Sequence, residues 1–156
     1  MYAEVNGAEL YYEVLGEEND DAIVILHGGP GISDHQKGKQ AYEPLADDYK
    51  VVVYDHRGCG QSSLTEPYSN AQYAADVEGL REELDLGEIV IIGGSYGGFI
   101  TQEYATTFGD DLAGFVLRDT APTGEYEENA WENARESWDE MKSYEFDIPD
   151  ISWEEF

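Results

Sequence analysis

Ile89-Val90-Ile91-Ile92-Gly93-Gly94-Ser95-Tyr96-Gly97-Gly98-Phe99-Ile100 decides the fold. Four β-branched residues in a row read as a strand buried on both faces. Gly93-Gly94-Ser95-Tyr96-Gly97 is a G-x-S-x-G turn, and the segment from Ser95 to Phe108 that follows has helical character and ends before Gly109. A strand that enters a helix through so tight a turn strains the residue at its apex and brings the flanking backbones together, which calls for small residues at Gly93, Gly97 and Gly98. The Ser95 hydroxyl then projects from the sheet at a helix N-terminus, where developing negative charge is favoured. A bare G-x-S-x-G can be no more than a tight turn. With a strand before it and a helix after it, the motif reads as a nucleophile elbow.

Outward from the elbow, Ala22 to Leu26, Val51 to Tyr54 and Gly114 to Leu117 share the unalternating Val and Ile texture of strands covered on both faces. The first of these runs straight into His27-Gly28-Gly29-Pro30-Gly31. A loop this rich in glycine can turn an amide toward an oxyanion where side chains would obstruct it, and the Tyr96 amide at the elbow would be its partner. The plain alternative is a loop that simply ends a strand.

The chain opens as a hairpin, with Asn6-Gly7 as the turn and Leu10, Tyr12 and Val14 alternating after it. Gly16 to Asp21 is a polar loop. Tyr73, Val77, Leu80 and Leu84 fall on one helical face, with Ser69 or Asn70 available as a cap. Strands alternating with helices predict an α/β, mostly parallel, doubly wound sheet. After Pro122 the texture shifts to acids and aromatics, with Ala130, Ala134, Trp138 and Met141 at helical spacing. Residues 1–122 therefore read as the core and residues 123–156 as a separate helical segment.

Charge narrows the function classes. Thirty-five Asp and Glu against 8 Lys and Arg give a net −27 over 156 residues, spread along the whole chain. Phosphate backbones and anionic lipid would be repelled, which argues against nucleic-acid and membrane partners. Such a surface is tolerable where salt screens it, so a salt-adapted, halophilic setting is expected. No run is long enough to span a bilayer, and no basic-then-apolar leader opens the chain, so a cytoplasmic location is the expectation. The single cysteine, Cys59, leaves no disulfide and no cysteine-rich metal site, and no metal or other cofactor is expected.

Four motifs together carry a family resemblance: His27 to Gly31, Asp55-His56-Arg57-Gly58-Cys59-Gly60-Gln61-Ser62, Asp76-Val77-Glu78-Gly79-Leu80-Arg81, and Gly93 to Gly98. In order and spacing they resemble the proline iminopeptidase family of α/β-hydrolases over roughly residues 3 to 122. The resemblance implies an α/β-hydrolase fold, Ser95 as nucleophile, an oxyanion hole from the amides of Gly29 and Tyr96, and His27, Gly28, Pro30 and Gly31 as its supporting loop. It implies release of N-terminal residues, often proline, from peptides. It also implies that residues 123–156 open a lid, that the sheet stops after its sixth strand, and that the lid holds the acids that grip the substrate's amino group. Glu125, Glu127, Glu128 and Glu132 are candidates by position alone.

Asp55-His56 invites a triad reading, but adjacent side chains at a strand end point in different directions, and the resemblance makes this segment a structural turn. His35 reads as a loop residue, and His27 as a residue that orders its own loop. Asp119 lies just past the Gly114 to Leu117 strand, at the edge where open sheets build their sites. The resemblance puts the triad acid one strand later, so Asp119 reads as a turn residue, with the acid role as the alternative. The order expected of this fold is Ser, then Asp or Glu, then His, and no histidine follows Ser95. The expectation is thus a serine hydrolase piece that acts on small peptides or esters but lacks its base. Its rivals are an esterase or lactonase on the same scaffold, and a non-catalytic remnant or half of a two-chain assembly. A missing C-terminal half, or a second copy paired along the truncated sheet edge, would be the partner.

Overall fold

Leu10, Val24, Val52 and Ile91 set the frame, because each belongs to a strand that must bury at least one face to exist. The computed structural model describes residues 1–122, and the fold that follows is that of the compact unit Met1–Thr120. The segment expected to open a lid, with its Ala130 to Met141 stripe and the acids Glu125, Glu127, Glu128 and Glu132, lies outside the described residues.

Strands β1 (Tyr2–Val5) and β2 (Ala8–Leu15) form the opening hairpin, with Asn6 and Gly7 at φ 49° and 77° in the turn. Strands β3 (Ala22–Leu26), β4 (Lys50–Tyr54), β5 (Ile89–Gly94) and β6 (Leu112–Arg118) complete a six-stranded sheet of order β1-β2-β4-β3-β5-β6. The hairpin joins antiparallel and the other four strands run parallel, so Leu26, Tyr54, Gly94 and Arg118 all end at one edge. Helix α2 (Asn70–Glu83) is capped by Ser69, whose hydroxyl accepts the Gln72 N–H, and α3 (Tyr96–Thr107) follows the elbow. Both helices pack on one sheet face, where Tyr73, Val77, Leu80, Ile100 and Tyr104 meet Val24, Val52 and Ile91.

The other face is thinner. Ile23, Ile25, Val51, Val53 and Ile92 are covered by Tyr42, Leu45 and Ala46, from the short helix α1 (Gln36–Tyr42) and the 3-10 turn Glu43–Asp47. These two elements have too little length for periodicity to announce them. A correction concerns β6. The Gly114 to Leu117 run reads as a doubly buried strand, but it is the sheet's last strand, and Phe115, Val116 and Leu117 are 49%, 51% and 38% exposed. Residue type sets strand propensity, whereas burial depends on how many neighbours the topology supplies. No helix among the described residues is long and apolar enough to cross a membrane.

Candidate active site

Ser95 sits between the end of β5 and the first residue of α3, at φ 53° and ψ −119°, with its side chain exposed. A non-glycine residue held there costs on the order of 1–3 kcal/mol and persists only where its surroundings leave no alternative. Here the Ser95 N–H donates to the Arg118 carbonyl at 2.9 Å, and the Ser95 carbonyl accepts the Gly98 N–H at 3.0 Å. A Cβ on Gly97 would stand 2.4 Å from the Leu26 carbonyl oxygen, so α3 can seat on the end of β3 only with glycine there. Gly93 packs against Thr101, whose hydroxyl donates to the Gly97 carbonyl at 2.8 Å, and Gly98 packs against Thr120.

The glycine loop after β3 rests on the serine. A Cβ on Gly28 would come within 2.8 Å of Ser95 Cβ and 3.3 Å of its hydroxyl oxygen. The Gly29 carbonyl accepts from Ile32 and Ser33, while no described residue accepts the Gly29 N–H. Beyond Pro30, the Gly31 N–H donates to Cys59 Sγ at 3.1 Å, which ties the loop to the turn after β4. Tyr96 is the first residue of α3, where a backbone N–H has no intrahelical acceptor. A cavity of about 390 Å³ opens here, lined by Gly28, Gly29, Ser95, Tyr42, Lys37 and Arg118 among others. A larger one, of about 500 Å³, lies over α1 beside Glu13, His35 and Lys39 and does not include the serine. The smaller cavity is the chemically relevant one because it alone of the two exposes a nucleophile.

The three histidines are occupied elsewhere. His56 is 1% exposed, its Nε2–H donates to the His27 carbonyl at 3.0 Å, and its Nδ1 accepts from the Tyr54 hydroxyl at 3.0 Å. His27 Nε2 accepts the His56 backbone N–H at 3.2 Å, which leaves Nδ1 to donate to the Gly28 carbonyl at 2.8 Å. These partners assign both rings as neutral tautomers. Burial is the leading cause that pushes both pKa values down, that of His56 well below the usual histidine value. His35 departs from the loop reading: it is 4% exposed at the start of α1, with Nδ1 2.8 Å from Asp55 and Nε2 2.9 Å from Glu13. Its partners lie 20 and 22 positions away, a separation that no local pattern displays. Asp55 also accepts the His35 and Gln61 backbone N–H groups, so its carboxylate faces His35 and not the adjacent His56.

Among the described residues the Ser95 hydroxyl has no hydrogen-bond partner. Asp119, at the end of β6 with φ 52°, is 83% exposed and lies 3.5 Å from Arg118 Nε, with no histidine beside it. No group of three or more potential metal ligands gathers among the described residues. Two contributors escape sequence reasoning. Arg118 both lines the cavity and fixes Ser95 through its carbonyl, and Cys59 braces the glycine loop. The only signal for Arg118 is its place at the end of a strand that points to the same edge as the elbow.

Residues 21–152 match a family described as alpha/beta hydrolase fold. A proline iminopeptidase of Pestalotiopsis fici is 36% identical over 149 residues, covering 94% of this chain and 53% of that protein. A proline iminopeptidase of Neisseria gonorrhoeae is 34% identical over 116 residues, covering 70% of this chain and 36% of that protein. The chain thus spans about half the length, or less, of the curated relatives it matches. Among solved structures, an enol-lactonase from Burkholderia xenovorans is similar at 30% identity and TM-score 0.72, covering 86% of this chain and 54% of that one. A thermophilic esterase from Thermogutta terrifontis is similar at 29% identity and TM-score 0.71, covering 92% of this chain and 53% of that one.

Proposed function

The chain belongs to the alpha/beta hydrolase fold family, and we propose that it carries the nucleophile and oxyanion hole of a serine hydrolase of the proline iminopeptidase kind. One observation carries the reading: a strained serine at a strand-to-helix turn, its hydroxyl without a partner among the described residues, with a glycine loop packed on its Cβ. Ser95 Oγ attacks the carbonyl carbon of an N-terminal residue, and the bond to the leaving amine breaks to give an acyl ester. The carbonyl oxygen, negative in the tetrahedral intermediate, takes hydrogen bonds from the N–H groups of Gly29 and Tyr96. Water then releases the acid and restores the serine.

The serine proton needs a base, and the ring nitrogens of His27, His35 and His56 are all engaged with other groups. We assign the base to a histidine, with an orienting carboxylate, outside these 156 residues, in the part of the relatives that the chain does not span. Asp119, exposed and among the described residues paired only with Arg118, is left without that role. Similarity to an esterase and an enol-lactonase favours a second reading, in which the same acyl transfer acts on an ester or lactone.

The test compares the 156-residue chain with a version extended to the length of its relatives, on proline p-nitroanilide and on p-nitrophenyl acetate. The short chain is expected near background, because losing a triad member leaves only roughly 10³–10⁴-fold catalysis over water. The extended chain should turn over the anilide and lose that activity on Ser95→Ala. A preference for the acetate with no anilide turnover would favour the esterase reading. Activity that survives Ser95→Ala would end both.

A further inference from the structure

Another pocket, of about 340 Å³, is lined by Pro30, Gly31, Gly58, Tyr68 and Tyr73. It shares no lining residue with the cavity at the serine, yet the two flank one loop: Gly28 and Gly29 face one, Pro30 and Gly31 the other. Its walls are built. The Tyr68 ring lies over Gly58, where an added Cβ would meet Tyr68 Cε1 at 2.6 Å, and the bond from Gly31 to Cys59 fixes the loop side. Tyr73 projects from α2 into a run of aromatic contacts, with its ring centre 5.5 Å from that of His56 and 6.0 Å from that of Tyr96.

Tyr73 is only 3% exposed, and its hydroxyl makes no hydrogen bond to any described residue. Among the described residues Thr120 Oγ1 alone is a fully buried side-chain polar atom without a partner, so the Tyr73 hydroxyl oxygen keeps contact with the pocket's solvent and is open to a ligand's acceptor. Burial pushes the Tyr73 phenol up to about 12, so it remains a donor throughout the neutral range. Two flat rings, a pyrrolidine and two glycine backbones suit a flat or cyclic apolar group.

We propose that this pocket is a second substrate subsite that takes a ring carrying one hydrogen-bond acceptor, with Tyr73 as the donor to that acceptor. The identification as a substrate subsite rests on the hydrolase reading, since the pocket shares its wall with the oxyanion loop. Tyr73 also packs on Tyr96, whose backbone N–H forms the other half of that hole, so a ring bound here would rest against the glycine loop and against the tyrosine that supports Tyr96.

Acetophenone, a ring with a carbonyl acceptor, and toluene, the ring without one, are the probes. Titrated into the ¹⁵N-labelled 156-residue chain, acetophenone should shift the amides of Gly31, Gly58, Tyr68 and Tyr73 saturably. Tyr73→Phe should weaken acetophenone about tenfold and toluene less than about twofold, the difference expected for one hydrogen bond. Tyr68→Ala should weaken both probes. The amide spectrum of each variant reports directly whether it has kept the fold. Equal acetophenone affinity in the Tyr73→Phe chain, the absence of saturable shifts, or shifts confined to Ser33, Gly38 and Tyr42 around the other cavity would overturn the subsite. Ser95→Ala should leave acetophenone binding unchanged. Binding that holds while the extended enzyme fails to hydrolyse either substrate would sink the hydrolase reading alone, and hydrolysis without binding here would sink the subsite alone.

Discussion

At Ser95 the chain accepts φ 53° and leaves a hydroxyl exposed and without a partner among the described residues; at His27 and His56, just past the ends of the neighbouring strands β3 and β4, both rings are buried and each nitrogen is engaged. The two regions share one sheet edge and touch through the glycine loop, so their difference is not one of location. It follows from what burial demands. A ring nitrogen out of water must find a partner or cost the fold, and the stacked rings 4.0 Å apart meet that demand with carbonyls, a hydroxyl and each other's backbone. An exposed hydroxyl is solvated and owes nothing to the fold, so it remains free for a substrate. A histidine near a nucleophile in sequence is therefore poor evidence for a base; the partners of its nitrogens decide.

The largest blow to the histidine side should come from the ion pair beneath it. Arg57 follows His56 directly, and its guanidinium holds the Asp76 carboxylate at 2.5 Å and 2.7 Å, with both side chains 1% exposed. Arg57→Met would leave a buried carboxylate with only the neutral donors Asn6 and Gln72, and should cost about 3–5 kcal/mol in urea unfolding. A loss under about 1 kcal/mol would mean that the turn carrying His56 is held by something else.

A smaller effect should appear with pH. Burial lowers the folded-state pKa of His27 and His56 below the usual 6.5, so the unfolded chain binds protons more readily near that pH. Their contribution is fully present above 6.5 and is lost as pH falls through it toward the folded values, with a slope of at most about 1.4 kcal/mol per pH unit for each ring. Glu13 and Glu78 are held below 4.5, Glu13 chiefly by Lys39 and Glu78 chiefly by Arg81, so their contributions fade only below that pH. Urea midpoints between pH 7.5 and 5.5 should therefore fall, and less steeply in His56→Gln. Identical slopes in the two proteins would contradict the burial argument.

The least change is expected at the serine itself. Ser95→Ala removes a group that bonds to nothing described and keeps the residue's backbone, so stability should stay within about 0.5 kcal/mol. A loss beyond 1 kcal/mol would place Ser95 with the histidines, as a structural residue, and the contrast would collapse.

Much of the frame is legible without coordinates, because its causes are local. Asn6-Gly7 makes a turn by itself, Val and Ile runs make strands, and Ser69 with Tyr73, Val77 and Leu80 marks a capped amphipathic helix. The elbow is local as well, since Gly93 to Gly98 must pass close to their neighbours wherever a strand turns so sharply into a helix. The roles given to Gly29 and Tyr96 come instead from family resemblance, to which the geometry adds a glycine loop lying against the serine.

Tertiary structure alone decided the rest, because each remaining feature joins residues distant in sequence. His35 turns from loop residue to buried bridge only when β2 and β4 bring Glu13 and Asp55 to its two nitrogens. β6 reads like its buried neighbours, yet stands exposed because its place at the end of the strand order provides fewer neighbours. Tyr73 has the spacing of an ordinary core residue, and only the approach of Tyr68 and the glycine loop makes its hydroxyl the polar point of a pocket. Sequence by itself determines which segments turn, extend or coil and which serine is strained, since backbone sterics act over a few residues. Whether His35 and the Nε2 atoms of His27 and His56 are consumed depends on contacts across twenty or more positions, and those exist only once the sheet has formed.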